Sequence, residues 1–429
     1  MISQNQKSKF NQEKIKADNP QWLEELKIKG KFENLGYPIL KLHNGEFYKV
    51  GNGTKKKFKD IKLEIGRYDV AFFREGPFLP SREGGSNRVY NLAKHIKGLK
   101  VCVIHCYRGW SNYKFMEKEK FTTFLLTPRD YYSVSFVYNL LNKIKVKIVD
   151  FDYPEIVITH GIKLKTLGFK VVYDAQNVIT RLLSEMGLDE KIIKLNRFYE
   201  IKACNIADMI HCCSDVDKTS LHKLGVPSTK CITIPTGVDI EKIKFNRNIN
   251  SNKLFFLGNL FYEPNSSGLL EFVKKVLPLI IKKKNAKLYL IGDIPKNLKN
   301  ILRSKYSECV VILGPIDDLN KATTSGGIGI SFIKIGSGIR VKILNYFALG
   351  LPVVSTEVGA EGLNTKNYKN ILIANTPRNF ANAVLSLQNN PALYMSLSSN
   401  ARKLVENKYS WYKSSDILER AYIKLLTKD

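Results

Sequence analysis

One short pattern recurs along the second half of the chain. Leu254-Phe255-Phe256-Leu257, Leu288-Tyr289-Leu290-Ile291 and Val310-Val311-Ile312-Leu313 are apolar runs that each end on a glycine: Gly258, Gly292 and Gly314. Ile328-Gly329-Ile330-Ser331 and Val353-Val354-Ser355 continue the series. Runs this short read as parallel strands buried on both faces. Parallel strands need long crossovers, which are usually helices. Leu269, Phe272, Val273 and Val276 lie between the first two runs at helical spacing. The pattern predicts a doubly wound α/β sheet.

The first half follows the same logic. Val70-Ala71-Phe72-Phe73 is a strand, and Ser81-Arg82-Glu83-Gly84-Gly85-Ser86-Asn87-Arg88 a glycine loop. A helix follows with Val89, Leu92, Ala93 and Ile96 on one face, then a strand at Val101-Cys102-Val103-Ile104. Strands are expected at 147–149, 156–158, 171–173, 209–214 and 231–234. The Gly-x-Gly-x-x-Gly fingerprint is incomplete, so nicotinamide binding is not supported. Residues 246–253 are polar and irregular and read as a linker. The expected fold class is α/β, with two Rossmann-like doubly wound domains facing a cleft. An N-terminal extension (1–66) precedes an N-terminal domain (67–245), a C-terminal domain (246–408) and a closing helix (409–429) that crosses back to the N-terminal domain. In the extension, Asn44-Gly45 signals a turn and Phe47-Tyr48-Lys49-Val50 a weak strand.

Residues 336–363 concentrate the chemistry. Gly336 and Gly338 let backbone approach a ligand. The helix that follows carries Val341, Leu344 and Ala348 on one face and stops at Gly350 and Pro352. Its first-turn N–H groups suit an anion. Arg340 and Lys342 there oppose the helix dipole unless something negative binds nearby. Solvated charges at a helix start are the plainer reading. His160 follows the expected strand at 156–158. In open parallel sheets that end of a strand faces the ligand; a hydrogen-bonded structural histidine is the other reading.

Composition narrows the partners. A net charge of +29 over 429 residues implies an anionic surface or substrate, although the lysines are dispersed. The seven cysteines form no C-x-x-C pair, so free thiols in a reducing compartment are expected and no metal site. Met1 to Lys9 is polar, so no signal peptide is expected. No apolar run reaches the length of a bilayer span. A nucleic-acid partner is not expected, since no recognised module accompanies the charge.

The ordered motifs resemble a known family. In the first half they are Gly84-Gly85 with Arg88, Tyr173-Asp174-Ala175-Gln176-Asn177-Val178, Ser214, and Pro235-Thr236-Gly237-Val238-Asp239. In the second half they are Gly258-Asn259 with Pro264-Asn265, Gly292, Gly314, Gly338-Ile339-Arg340-Val341-Lys342, Pro352-Val353-Val354-Ser355-Thr356, Gly359-Ala360-Glu361-Gly362, and Tyr409-Ser410-Trp411. From about Tyr68 onward the chain resembles the GT-B glycosyltransferases of family four.

That resemblance implies sugar transfer from a nucleotide-sugar with retention of anomeric configuration. No cofactor is implied; the nucleotide-sugar is a co-substrate. The donor is expected on the C-terminal domain and a glycan or lipid-linked acceptor on the N-terminal one. Gly84 and Gly85 would approach the donor phosphates. Gly338, Ile339, Arg340 and Lys342 would hold the diphosphate or its sugar, near Gly258 and Asn259. Gly314, Pro315 and Ile316 would contact the base. His160 would touch the donor sugar and is the candidate catalytic residue. Many relatives carry two glutamates where Ser337 and Asn345 stand, and a histidine where Gln176 stands. Those departures keep a second reading open: a non-catalytic relative that binds nucleotide-sugar or glycan. The expected location is cytoplasmic, peripheral on the inner face of an anionic membrane.

Overall fold

The computed structural model describes residues 39–43, 46–50, 67–76, 78, 84–106, 121–249 and 251–427. Loop residues Ser81, Arg82 and Glu83, the Asn44-Gly45 turn and most of 1–66 lie outside them.

Among the described residues there are two sheets. The first has nine strands: β1 Ile39–His43, β2 Glu46–Val50, β3 Val70–Glu75, β4 Val101–Cys106, β5 Thr122–Leu126, β6 Ile148–Phe151, β7 Lys170–Ala175, β8 Met209–Cys212 and β9 Cys231–Thr233. Their order is β2-β1-β5-β4-β3-β6-β7-β8-β9. The pairings from β1 to β9 are parallel, and only β1–β2 is antiparallel. The weak strand expected at 47–50 is β2, and it reaches the sheet through β1, which pairs with β5.

The second sheet has six parallel strands: β10 Lys253–Leu257, β11 Lys287–Ile291, β12 Val310–Gly314, β13 Ile328–Ser331, β14 Val353–Ser355 and β15 Leu372–Ile373. Their order is β12-β11-β10-β13-β14-β15. Strand order therefore reverses at β3/β6 in one sheet and at β10/β13 in the other. Ligand crevices open beyond the carboxyl ends of strands at such switch points.

Nine helices matter for the site and its support: α1 Gly84–His95, α2 Pro154–Thr166, α3 Ile179–Glu185, α4 Glu190–Ile206, α5 Asp215–Lys223, α6 Glu263–Glu271, α7 Val341–Leu349, α8 Pro391–Lys408 and α9 Trp411–Leu426. The strand expected at 156–158 is instead part of α2. Pro154 stands at the helix start, where its missing N–H costs nothing. Beyond Pro154, its buried residues are Ile156, Val157, His160, Gly161 and Leu164, a helical stripe rather than a strand alternation. The β-branched run Ile156-Val157-Ile158 imitates a strand because two of its three residues, Ile156 and Val157, lie in that stripe.

Each sheet has its own apolar cores. Phe73, Ile104, Phe124, Leu141, Phe151 and Val171 share one on the first sheet. Its other face packs Val70, Phe72, Val89 and Leu92 against Trp411, Leu418 and Tyr422. The closing helix α9 therefore sits on α1 and the first sheet, not on the sheet that precedes it in sequence. In the second sheet Leu254, Phe256, Leu288 and Ile330 form one core, and Phe255, Leu344, Phe347 and Val353 another.

Candidate functional site

The site begins with α7. Only Val341 and Asn345 of its nine residues escape full burial. A helix apolar all round belongs inside a protein. Tyr346 pins it to β10, its hydroxyl donating to Phe255 O at 2.8 Å and accepting from Leu257 N at 2.7 Å. Gly350 ends it in the left-handed conformation, φ +79°.

Lys342 is carried into the interior by that helix and is 9% exposed. Its ammonium donates to Asn265 Oδ1 at 2.7 Å and lies 4.3 Å from the Phe256 ring centroid. No carboxylate lies within ion-pair distance of it among the described residues. Burial pushes its pKa down to about 7, and the neighbouring Arg340 cation pushes the same way. Asn265, on α6, is itself fixed by donating to Asn259 O at 2.8 Å. Gly258 joins this cluster at φ +149°, and a Cβ there would lie 3.2 Å from the Lys342 ammonium nitrogen.

Arg340 precedes the helix rather than lying in its first turn. Its guanidinium folds back onto the carbonyls of Gly336, Ser337 and Gly338 and stiffens the loop. Burial lowers its pKa. The Ser337 hydroxyl is buried without a hydrogen-bond partner among the described residues. A buried hydroxyl in that state is costly unless a ligand completes it. Asn345 is half-buried one turn beyond Lys342.

The loop meets the first sheet's residues directly. Gly338 has φ +77°, and a Cβ there would fall 2.3 Å from Asn177 Oδ1. A Cβ on Gly85 would fall 2.6 Å from Gln176 Oε1 and 2.9 Å from Arg74 Nη1. Gly85, Gln176, Asn177 and Gly338 thus form one seam between the two halves; Gly84 opens α1 and is exposed. Arg181 on α3 closes the seam further, pairing with Glu185 at 2.7 Å and with Glu361 of the other half at 2.6 Å. Gly336 N donates to Glu185 Oε2 at 3.3 Å.

Under the seam lies a buried charge network. Arg88 Nε donates to both oxygens of Asp174 at 3.0 Å, and Nη1 to Ile234 O at 2.9 Å. Its Nη2 lies 3.0 Å from His211 Nδ1. His211 Nδ1 also lies 3.1 Å from Asp174, and its Nε2 2.8 Å from Asp150, so the ring bridges the two carboxylates. Tyr422 of α9 donates to the Asp150 carboxylate. Asp174 in turn accepts from Gln176 Nε2 at 3.2 Å, which leaves the Gln176 carbonyl turned toward Gly85. Arg74, at the end of β3, pairs with Asp152 at 2.6 Å, and burial still lifts Asp152 to about 7.

His160 is placed differently from its expectation. It lies within α2, 0% exposed, with Nε2 2.9 Å from Tyr131 O and its ring stacked on Phe151. Burial lowers its pKa to about 4, outweighing the bond to Tyr131. The misread strand is what moved it toward the crevice; the helix turns it into the core. Gly314 stands at the end of β12, its carbonyl accepting from Gly292 N at 2.9 Å, with half-buried Ile316 just beyond Pro315. Ile339 packs near Gly362 and Ser214. Arg74, Arg181, Glu185 and Glu361 were not expected in this region by role. Arg74 and Glu185 sit beside ordinary apolar patterning, and only the tertiary fold brings them here.

Comparison with known proteins matches both halves. Residues 82–242 match the sequence model described as Glycosyltransferase Family 4, and 251–390 the one described as Glycosyl transferases group 1. The chain has the GT-B fold, and its two halves resemble glycosyltransferases of family four and group 1. Among solved structures, the chain is similar to sucrose-phosphate synthase from Thermosynechococcus elongatus, with a TM-score of 0.68 and 14% identity over 85% of this chain and 100% of that one. HepE from Anabaena in complex with UDP and glucose gives a TM-score of 0.65 at 13% identity, again over 85% and 100%. These likenesses are of fold. A curated relative is an uncharacterized 44.6 kDa protein in the cps region of Klebsiella pneumoniae, 26% identical over 190 residues, or 42% of this chain. The match spans about half of that relative's length, 49%. No helix among the described residues is long and apolar enough to cross a membrane.

Proposed function

We propose that the protein transfers a sugar from a nucleotide-sugar to a glycan or lipid-linked acceptor with retention of configuration. The observation that carries this is Lys342, a lysine taken out of water with no carboxylate beside it, at a glycine-opened helix start. Such a cation is stable there only at a cost, and a bound diphosphate offsets it. The UDP and UDP-glucose in complexes of HepE make a uridine diphosphate sugar the first donor to test.

In this reading Lys342, the loop amides and Arg340 take up the negative charge of the leaving diphosphate, without a metal. Ser337 and Asn345 offer a hydroxyl and an amide to the sugar and ribose. Gln176, oriented by Asp174, offers its carbonyl oxygen from the opposite wall. The bond from the anomeric carbon to the phosphate oxygen breaks, and the acceptor oxygen bonds to the same face. The acceptor proton passes to the leaving phosphate, so no protein base is needed. His160 takes no part in these steps. The protein works at an anionic membrane surface on the cytoplasmic side.

The test is a donor panel read by mass spectrometry for transferred sugar, with the anomeric configuration of the product read by NMR and the reaction repeated in chelator. A donor bound but never turned over with any acceptor would favour the non-catalytic reading that Ser337 and Asn345 motivate. Inversion in the product, or loss of turnover in chelator, would overturn the mechanism.

A further inference from the structure

Helices α2 and α4 pack side by side, and their outer surface has no role in the chemistry above. Between them runs an apolar groove lined by Ile162, Phe198, Ile201, Lys202, Asn205 and Ile206. Ile162 is 54% exposed, Leu195 53% and Phe198 59%. Single exposed apolar residues are ordinary, but a contiguous group marks an interaction surface. Lys191, Leu195, Phe198, Lys202 and Asn205 follow at alternating intervals of four and three, so they form one stripe along α4.

The stripe is also basic. Glu190 lies 3.8 Å from Lys194, and Asp208 2.6 Å from Lys165. Lys163, Lys191, Arg197 and Lys202 have no carboxylate within ion-pair distance among the described residues. Lys202 instead sits 5.7 Å from the Phe198 ring centroid. Glu200, the other acidic residue of α4, is turned inward, accepting from Ile179 N at 2.8 Å and Thr180 N at 3.1 Å.

Apolar side chains ringed by unpaired cations complement a surface that is anionic above and apolar beneath. A bilayer with acidic headgroups has that profile. A second copy of this chain fits less well, because a symmetric contact sets each cation against like charge. We propose that the α2–α4 face docks on anionic lipid, with Ile162, Leu195 and Phe198 between the headgroups and the cations over their phosphates. This rests on the membrane partner proposed above and gives it a place on the molecule.

Flotation of the full chain with phosphatidylglycerol–phosphatidylcholine vesicles, and with phosphatidylcholine alone, tests it. The wild type should float with the anionic vesicles only, less as salt rises. Leu195→Ser with Phe198→Ser should abolish flotation, and Lys191→Gln with Lys202→Gln should weaken it by about fivefold per lysine. Circular dichroism and nucleotide release from the donor should stay unchanged in all variants. Variants that float like the wild type overturn this surface and leave the membrane reading standing. A wild type that floats with no vesicle overturns both. A wild-type dimer that becomes a monomer in Leu195→Ser with Phe198→Ser assigns the face to a second copy and overturns the proposal.

Discussion

Burial holds the Lys342 ammonium down at about 7, against about 10.4 for a solvated lysine. Below pH 7 the side chain is charged in both folded and unfolded states, and the folded state bears the full cost of desolvating it. Between about pH 7 and 10 the folded lysine loses its proton first, so that cost is relieved and stability rises with pH. The melting temperature of the ligand-free protein should therefore climb from pH 7 to pH 9 relative to Lys342→Met, which lacks the group; parallel curves would refute the burial argument. A diphosphate restores the charge, so binding a nucleotide-sugar near pH 8 should take up a proton. Calorimetry in buffers of different ionisation enthalpy reads that uptake. Lys342→Met should lose it and bind at least about tenfold more weakly, on the order of 1.4 kcal/mol. The identity of this lysine was legible in the sequence from its place after Gly338. Its burial was not, because Asn265 and Phe256 approach it from α6 and β10, far away along the chain.

At the scale of elements, the glycine-ended strands were readable because burial on both faces demands continuous apolar runs. The same rule misplaced α2. A run of three β-branched residues reads as a buried strand, but in α2 only Ile156 and Val157 of it face inward, and Pro154 is the signal that separates the two. His160 moves with its element, from the strand end into the buried face of a helix. Gly336 and Gly338 open the loop before α7, and the geometry of that loop sets a prediction. Gly338→Ala forces a side chain into φ +77° and within 2.3 Å of Asn177 Oδ1. The backbone alone costs about 1–2 kcal/mol. Donor affinity should fall by more than tenfold while the far-UV spectrum stays the same; wild-type affinity would mean the seam opens freely. Removing the Glu200 carboxylate tests the support behind α3. Glu200→Ala leaves the Ile179 and Thr180 amides without their acceptor and should cost about 1–3 kcal/mol in denaturant unfolding.

For the molecule as a whole, two doubly wound sheets follow from alternation alone, but the contacts between them do not. Arg181 with Glu361, Glu185 with Gly336 N, and Asn177 against Gly338 join residues that no local pattern relates. The Arg181–Glu361 pair is partly solvated, so its worth is about 0.2–1 kcal/mol and falls with salt. That is enough to bias an open–closed balance without locking it. Arg181→Ala should enlarge the radius of gyration of the ligand-free protein in small-angle scattering, with saturating donor closing it again; identical profiles would show that the pair does not set the spacing.

The return of α9 to the first sheet has a consequence during synthesis. Val70, Phe72 and Leu92 find their cover in Trp411, Leu418 and Tyr422, and Asp150 its phenol in Tyr422. A ribosome adding about 5–20 residues each second makes those residues well after the first half they cover. Until then the nascent first half shows a sticky stripe to its neighbours, and a chaperone or the second half must shield it. Messages truncated just before the codon for Trp411 should yield aggregates rather than a shortened folded protein.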